Sequence, residues 1–300
     1  MPIFLTRLSL ILLAALATPL WAGEDPFDEA LHEAALKPFH ASQAGIASDH
    51  GENRVQFLLS FSYGLLPLEG LGWSLGSYRL EGLDFAYDGL FDFYLWTRHS
   101  QPLISRLQDP GLYFRFEAPV SARRANLEGW QLGWFHESNG QVVDSLAAYS
   151  AQDQVSRAWD YWYLAPKFSF PAAGSLLRLK IEPVLRIYTG AQGVVLPAEQ
   201  DIFWRPQDPP SAIADYDGLR GRFTLERLFP GKIFNYLALS AELRTGYSAE
   251  HALRNWSKRF DLVFKAWHLP CYLYYSNGYG PYISDYSTWS EGWGLGIRMW

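Results

Sequence analysis

Of the 300 residues, 17% are aromatic, including 13 Trp and 18 Tyr, only 19% are charged, and the formal net charge is -6. With no basic cluster, that balance excludes a nucleic-acid-binding role. The aromatic surplus suits the interfacial girdles of a membrane barrel better than the surface of a water-soluble globule. Cys271 is the single cysteine, so no intramolecular disulfide forms, and it reads as a small apolar packing residue.

Residues 1–22 read as a secretory signal, with Arg7 near the start, an apolar core from Leu8 to Ala17 and the small Ala22 before a cut. A membrane helix is the alternative, but the apolar run is short for a bilayer and no second one follows. About 275 residues then remain, room for one large domain or two ordinary ones. Residues 23–52 are polar and lack strand alternation, which predicts a periplasmic N-terminal segment, partly helical from Phe27 to Pro38. Its Asp28, Glu29, His32 and Glu33 fit the solvated face of an amphipathic helix better than a metal site.

Alternation begins after residue 52. Val55, Phe57, Leu59, Phe61 and Tyr63 share one face, against Gln56, Ser60 and Ser62 on the other. Similar runs recur near 72–80, 83–97, 111–120, 127–136, 157–166, 175–189, 217–228, 233–247, 257–268, 271–276 and 290–300. The clearest sets Leu177, Leu179, Ile181, Pro183, Leu185 and Ile187 against Arg178, Lys180, Glu182 and Arg186, as a strand between lipid and a polar lumen would.

A soluble sandwich shows the same period, its charges facing bulk water. Here the runs number about twelve, each about ten residues, long enough to cross a bilayer when tilted. Short turns at Phe229–Lys232 and Leu269–Pro270 alternate with long loops at 137–156, 190–216 and 248–256. The expectation is therefore an all-β fold, a transmembrane antiparallel β-barrel of about 12 strands over residues 53–300, in the outer membrane, closed because lipid tolerates no unpaired sheet edge. A terminal aromatic, Trp300, fits such a barrel, and the inward charges predict a lumen plugged by side chains.

One stretch of this pattern carries chemistry. In Trp130–Gly140, the residues Trp130, Leu132, Trp134, His136 and Ser138 point the same way on a strand. An imidazole beside a hydroxyl on an apolar face is what serine hydrolysis needs, the base within reach of the proton it removes. In the next run Asp160 shares a face with Ala158, Trp162 and Leu164, and an antiparallel pairing brings it to His136 as the orienting acid.

His136-Glu137-Ser138-Asn139-Gly140, followed after a loop by Asp153-Gln154-Val155-Ser156-Arg157-Ala158-Trp159-Asp160, resembles the active-site strands of the outer-membrane phospholipase A family. Gly278–Tyr286 resembles a second family motif and Glu52–Phe61 its first strand, so the likeness spans about residues 50–300. The resemblance implies hydrolysis of glycerophospholipid acyl esters of A1 and A2 type, with His136, Ser138 and Asp160 catalytic, and membrane phospholipids reaching the site laterally from the lipid side. It implies an oxyanion hole at the backbone N–H of Gly140, and calcium held by the Ser156 hydroxyl, the Gln141 carbonyl and Asp153. It also implies a homodimer joined through the catalytic side, in which Ser105 stands for a serine given by the partner chain.

The chain departs from the family in having Asp160 where an asparagine is usual, and in a longer loop between Gly140 and Ser156. Two other readings remain: a lipid A deacylase, which resembles an eight-stranded barrel with the same His-x-Ser-Asn strand, and a barrel that keeps the motif without catalysis.

Overall fold

The computed structural model describes residues 36–49, 52–94, 106–118, 126–138, 158–171, 176–189, 210–229, 234–247, 254–279 and 288–299. Contacts divide the chain into Met1–Leu36 and Lys37–Trp300, and the second unit holds the sheet. Its strands are β1 (Ser42–Asp49), β2 (Glu52–Pro67), β3 (Tyr78–Tyr94), β4 (Arg106–Glu117), β5 (Leu127–Ser138), β6 (Ala158–Pro171), β7 (Leu177–Tyr188), β8 (Leu219–Leu228), β9 (Phe234–Thr245), β10 (Ser257–Ala266), β11 (Leu269–Tyr279) and β12 (Trp289–Met299). Each pairs antiparallel with the next, and β1 also pairs with β12, so these twelve strands form a closed barrel among the described residues. Closure leaves no strand at a free outer edge of the sheet, as lipid requires.

The pleat then sorts side chains between two media. Outward stand Phe57, Leu59, Tyr63, Leu112, Phe114, Leu132, Trp162, Leu164, Phe223, Leu225, Leu239, Phe260, Leu273, Trp293 and Leu295, all exposed apolar groups. Inward stand ion pairs. Arg54 meets Asp92 at 2.9 Å, Arg115 meets Asp84 at 3.0 Å, Arg222 meets Glu242 at 2.9 Å and Arg259 meets Asp261 at 2.9 Å. Charges withdrawn from water into a lumen are tolerated only when paired in this way. The faces read from the sequence for 177–187 hold, with Arg186 buried inside and Ile187 exposed outside.

Side chains and loops fill the interior. Phe39 packs against Tyr113, Phe135 and Tyr163, and the His40 Nδ1 lies 2.7 Å from Asp88 Oδ2. At the opposite end, a 3-10 turn at Pro210–Asp215 buries Ile213 in the same aromatic cluster. Tyr247 ties that turn down, its N–H donating to the Ala214 carbonyl and its hydroxyl accepting from the Tyr188 N–H.

Two sequence expectations need correction. The boundary at residue 52 falls too late, because Ser42–Asp49, expected in the periplasmic segment, is a full strand of the wall. Its alternation is faint because its inward positions are small: a Cβ on Gly45 would collide with the Leu295 carbonyl and the Tyr272 hydroxyl. Conversely 72–80 is not a strand of its own. It holds the tip of the β2–β3 hairpin, with a 3-10 turn at Glu69–Leu71 before it and Tyr78 opening β3. One strand is gained and one lost, which leaves the count at twelve. The expected signal at 1–22 and most of the helix at 27–38 lie outside the described residues.

One glycine of β12 accepts an aromatic ring from β11: a Cβ on Gly294 would strike the Tyr274 ring. Gly294→Val should therefore overpack the lumen and destabilise the barrel by about 1–3 kcal/mol, read as a lower denaturant midpoint after refolding in detergent, whereas the lipid-facing Ile297→Val should leave that midpoint nearly unchanged. An unshifted midpoint for Gly294→Val would mean that the ring does not lie across that glycine.

Candidate active site

The hairpin of β5 and β6 positions the residues that the sequence singled out. In its register His136 lies opposite Asp160, and Ser138 opposite Ala158. On the other side of β5, Ser138 faces Gln108 of β4. The β5 side chains alternate as expected: Gln131, Gly133, Phe135 and Glu137 are buried in the lumen, while Leu132, Trp134, His136 and Ser138 stand on the more exposed, outward face.

The imidazole and the carboxylate meet. His136 Nδ1 is 2.7 Å from Asp160 Oδ1. The His136 side chain is 24% exposed and that of Asp160 only 2%, so the acid is shielded behind the ring that it binds. With Nδ1 taken by Asp160, Nε2 is the ring's other nitrogen, and Ser138 lies one alternate position along the same strand. The backbone of Asp160 is itself pinned, since the Thr189 N–H and hydroxyl both donate to its carbonyl at 3.1 and 3.2 Å. Trp162 beside it is 50% exposed on the outward face.

Behind the pair, in the lumen, lies a group that the sequence did not reveal. Arg186 Nη1 donates to Glu137 Oε2 at 2.7 Å, and its guanidinium carbon lies 4.3 Å from the Tyr161 ring centre. The Tyr161 hydroxyl donates to Asp109 Oδ2 at 2.6 Å. At the loop end Asp217 joins the group, bound by Arg220 and 3.7 Å from Arg186. Burial alone would raise the Asp217 carboxyl, but Arg220 first, then Arg186 and Arg244, hold it well below the usual carboxylate range. Its contribution to stability is thus present above the ordinary carboxylate range and lost only in strong acid. Inward charges on each strand were legible from alternation; that these particular ones meet requires the closed barrel.

The other expected site residues, Gly140, Gln141, Asp153, Ser156 and Ser105, lie outside the described residues. Among the described residues no cluster of three or more His, Cys, Asp or Glu is placed to hold a metal.

Known proteins give this geometry a frame. The model of the phospholipase A1 family matches residues 33–299. The chain belongs to that family. No curated protein sequence matches it. Among solved structures it resembles outer membrane phospholipase A from Escherichia coli, at 18% identity and a TM-score of 0.59, over 88% of this chain and 94% of that one. An active-site asparagine-to-alanine mutant of the E. coli protein matches at 17% identity and TM-score 0.59, covering 93% and 95%. The Salmonella typhi outer membrane phospholipase, a dimer with bound calcium, matches at 17% and 0.57, covering 88% and 91%.

These likenesses agree with the fold, and family membership makes the chain a phospholipase. A closed barrel with an apolar outer belt is the build of an outer-membrane protein, as the sequence led us to expect. The eight-stranded deacylase reading fails, because the wall has twelve strands and the family match runs to residue 299.

The 2.7 Å contact between His136 and Asp160 yields a graded expectation. Asp160→Asn should keep substantial phospholipid hydrolysis, since an amide oxygen still accepts from Nδ1–H, whereas Asp160→Ala should lose about 10- to 100-fold, as when other histidine-orienting partners are removed. Equal rates for the alanine variant and the wild type, measured on refolded barrel, would show that the contact orients nothing.

Proposed function

We propose that the protein is a serine-dependent phospholipase of A1 and A2 type that works on the bilayer-facing side of its own barrel. His136 takes the Ser138 proton through Nε2 while Oγ attacks the carbonyl carbon of a glycerophospholipid acyl ester. The tetrahedral intermediate collapses, the glycerol oxygen leaves with the proton from the imidazolium, and the fatty acyl group stays on Ser138. Water, activated by the same imidazole, then releases the fatty acid and restores the hydroxyl. Asp160 holds the ring throughout and balances its charge. The observation that carries this reading is the His136–Asp160 pair, on the outward face and one alternate position from Ser138.

The backbone N–H of Gly140 serves the developing oxyanion. Gln141 through its carbonyl, Ser156, Asp153 and a Ser105 contributed by a second copy form an all-oxygen donor set, which fits a hard cation such as calcium. When bound, calcium would add positive charge beside the oxyanion. Because Ser105 would come from a partner, the active form is a homodimer joined through the catalytic side. A substrate that diffuses within the leaflet reaches this face without crossing water, which explains why a hydrolase would carry its nucleophile on the exterior.

The test is refolding in detergent, with phospholipid supplied in calcium or in chelator, for wild type and Ser138→Ala. Fatty-acid release should require Ser138 and calcium, and a chelated sample should fall to the level of the serine variant. Release that survives loss of Ser138 would overturn the assignment of the nucleophile. No release from phospholipid by the folded wild type would leave a barrel that keeps the motif without the chemistry.

A further inference from the structure

The pairing that holds the nucleophile's strand has a gap. Between β4 and β5 the register runs from Glu117 opposite Gly129 to Gly111 opposite Phe135, and resumes only at Gln108 opposite Ser138. The positions skipped are Asp109 and Pro110 on β4, against Glu137 and His136 on β5. Proline has no N–H to give, so the ladder is open on that side where the imidazole is mounted.

The lumen supplies what the ladder lacks. Glu137 stands between His136 and Ser138 in the chain and points inward, where Arg186 binds it at 2.7 Å. Arg186 also reaches Asp109, the β4 residue of the gap, at 3.4 Å, and lies over Tyr161, the neighbour of Asp160. Tyr161 closes the circuit by donating to Asp109 at 2.6 Å. One guanidinium, 8% exposed, thereby joins β4, β5 and β6 at the level of the reacting groups.

We propose that Arg186 is a positioning residue for hydrolysis: from the lumen it clamps Glu137, Asp109 and Tyr161, and so fixes the stretch of wall from which His136, Ser138 and Asp160 project. This rests on the serine mechanism proposed above.

Arg186→Met, Arg186→Lys and Glu137→Gln test the clamp, each refolded to the barrel and assayed with calcium throughout. For Arg186→Met, kcat should fall about tenfold or more with KM within about twofold, since the loss is in the transition state. Arg186→Lys should recover part of that kcat, and Glu137→Gln should lower kcat in the same direction with KM again little changed.

Wild-type kcat in folded Arg186→Met would overturn the clamp, as would a loss of rate that only follows the fraction folded. If Arg186→Met does not refold, Arg186→Lys and Glu137→Gln carry the decision, because kcat unchanged in both would sink the proposal. Ser138→Ala run alongside keeps the two readings apart. An inactive serine variant beside a fully active Arg186→Met removes the clamp alone, whereas an active serine variant removes the mechanism on which it rests.

Discussion

The structure depends on one constraint: a closed ladder one residue thick, with hydrocarbon on one side and a packed polar interior on the other. Because successive side chains point to opposite faces, each residue of the wall is committed to one medium by its parity alone. At residues 135–138 that commitment becomes functional. Phe135 and Glu137 belong to the lumen, while His136 and Ser138 face outward. A shift of one residue in register would bury the base and expose Glu137 to lipid, so the site has the same tolerance as the fold.

Period two is also why so much was legible in the sequence. Which residues of 177–187 face the lumen, and that His136, Ser138 and Asp160 share the outer face, follow from alternation without any coordinates. The pairing of His136 with Asp160 needed one further assumption, that neighbouring runs form a hairpin. What failed did so where alternation is not made of polar against apolar. The inward positions Gly45 and Ala47 of β1 are small because the Leu295 carbonyl and the Tyr272 hydroxyl crowd the first and Tyr272 and Tyr274 pack in the same cluster as the second, and a strand of small residues looks like a linker. In the opposite sense, 72–80 alternates because the hairpin folds back within it, Ser74–Leu75 pairing with Tyr78–Arg79, so one run spans two arms. The Arg186 group was out of reach for another reason: its members come from β4, β5, β6 and β7 and from the loop before β8, and single-strand patterns say nothing about partners 49 or 77 residues away.

The lumen is thus more than filler. Ion pairs buried among Tyr161, Tyr163 and Phe135 are costly to desolvate and contribute little net stability, but breaking one leaves a bare charge in a place with no water. Such groups favour a single arrangement over its neighbours. For the proposed site, whose groups lie on the outer face of the wall, rigidity would have to be supplied from behind.

Asp160 shows how the outer face meets the same problem. The Asp160 carboxylate is 2% exposed in a wall that borders lipid, and His136 is its partner there. In the proposed cycle the imidazole becomes positive at the moment when it has taken the Ser138 proton. The electrostatic gain of the pair is therefore larger in the transition state than in the resting enzyme, the condition under which an interaction accelerates a reaction rather than merely tightening a ground state. An asparagine at this position would orient the ring without that asymmetry and without the cost of a buried charge. The acid gives a steeper dependence of the site on its shielding, so that Thr189, which pins the Asp160 backbone, and Trp162, which flanks it, become part of what keeps the pair working.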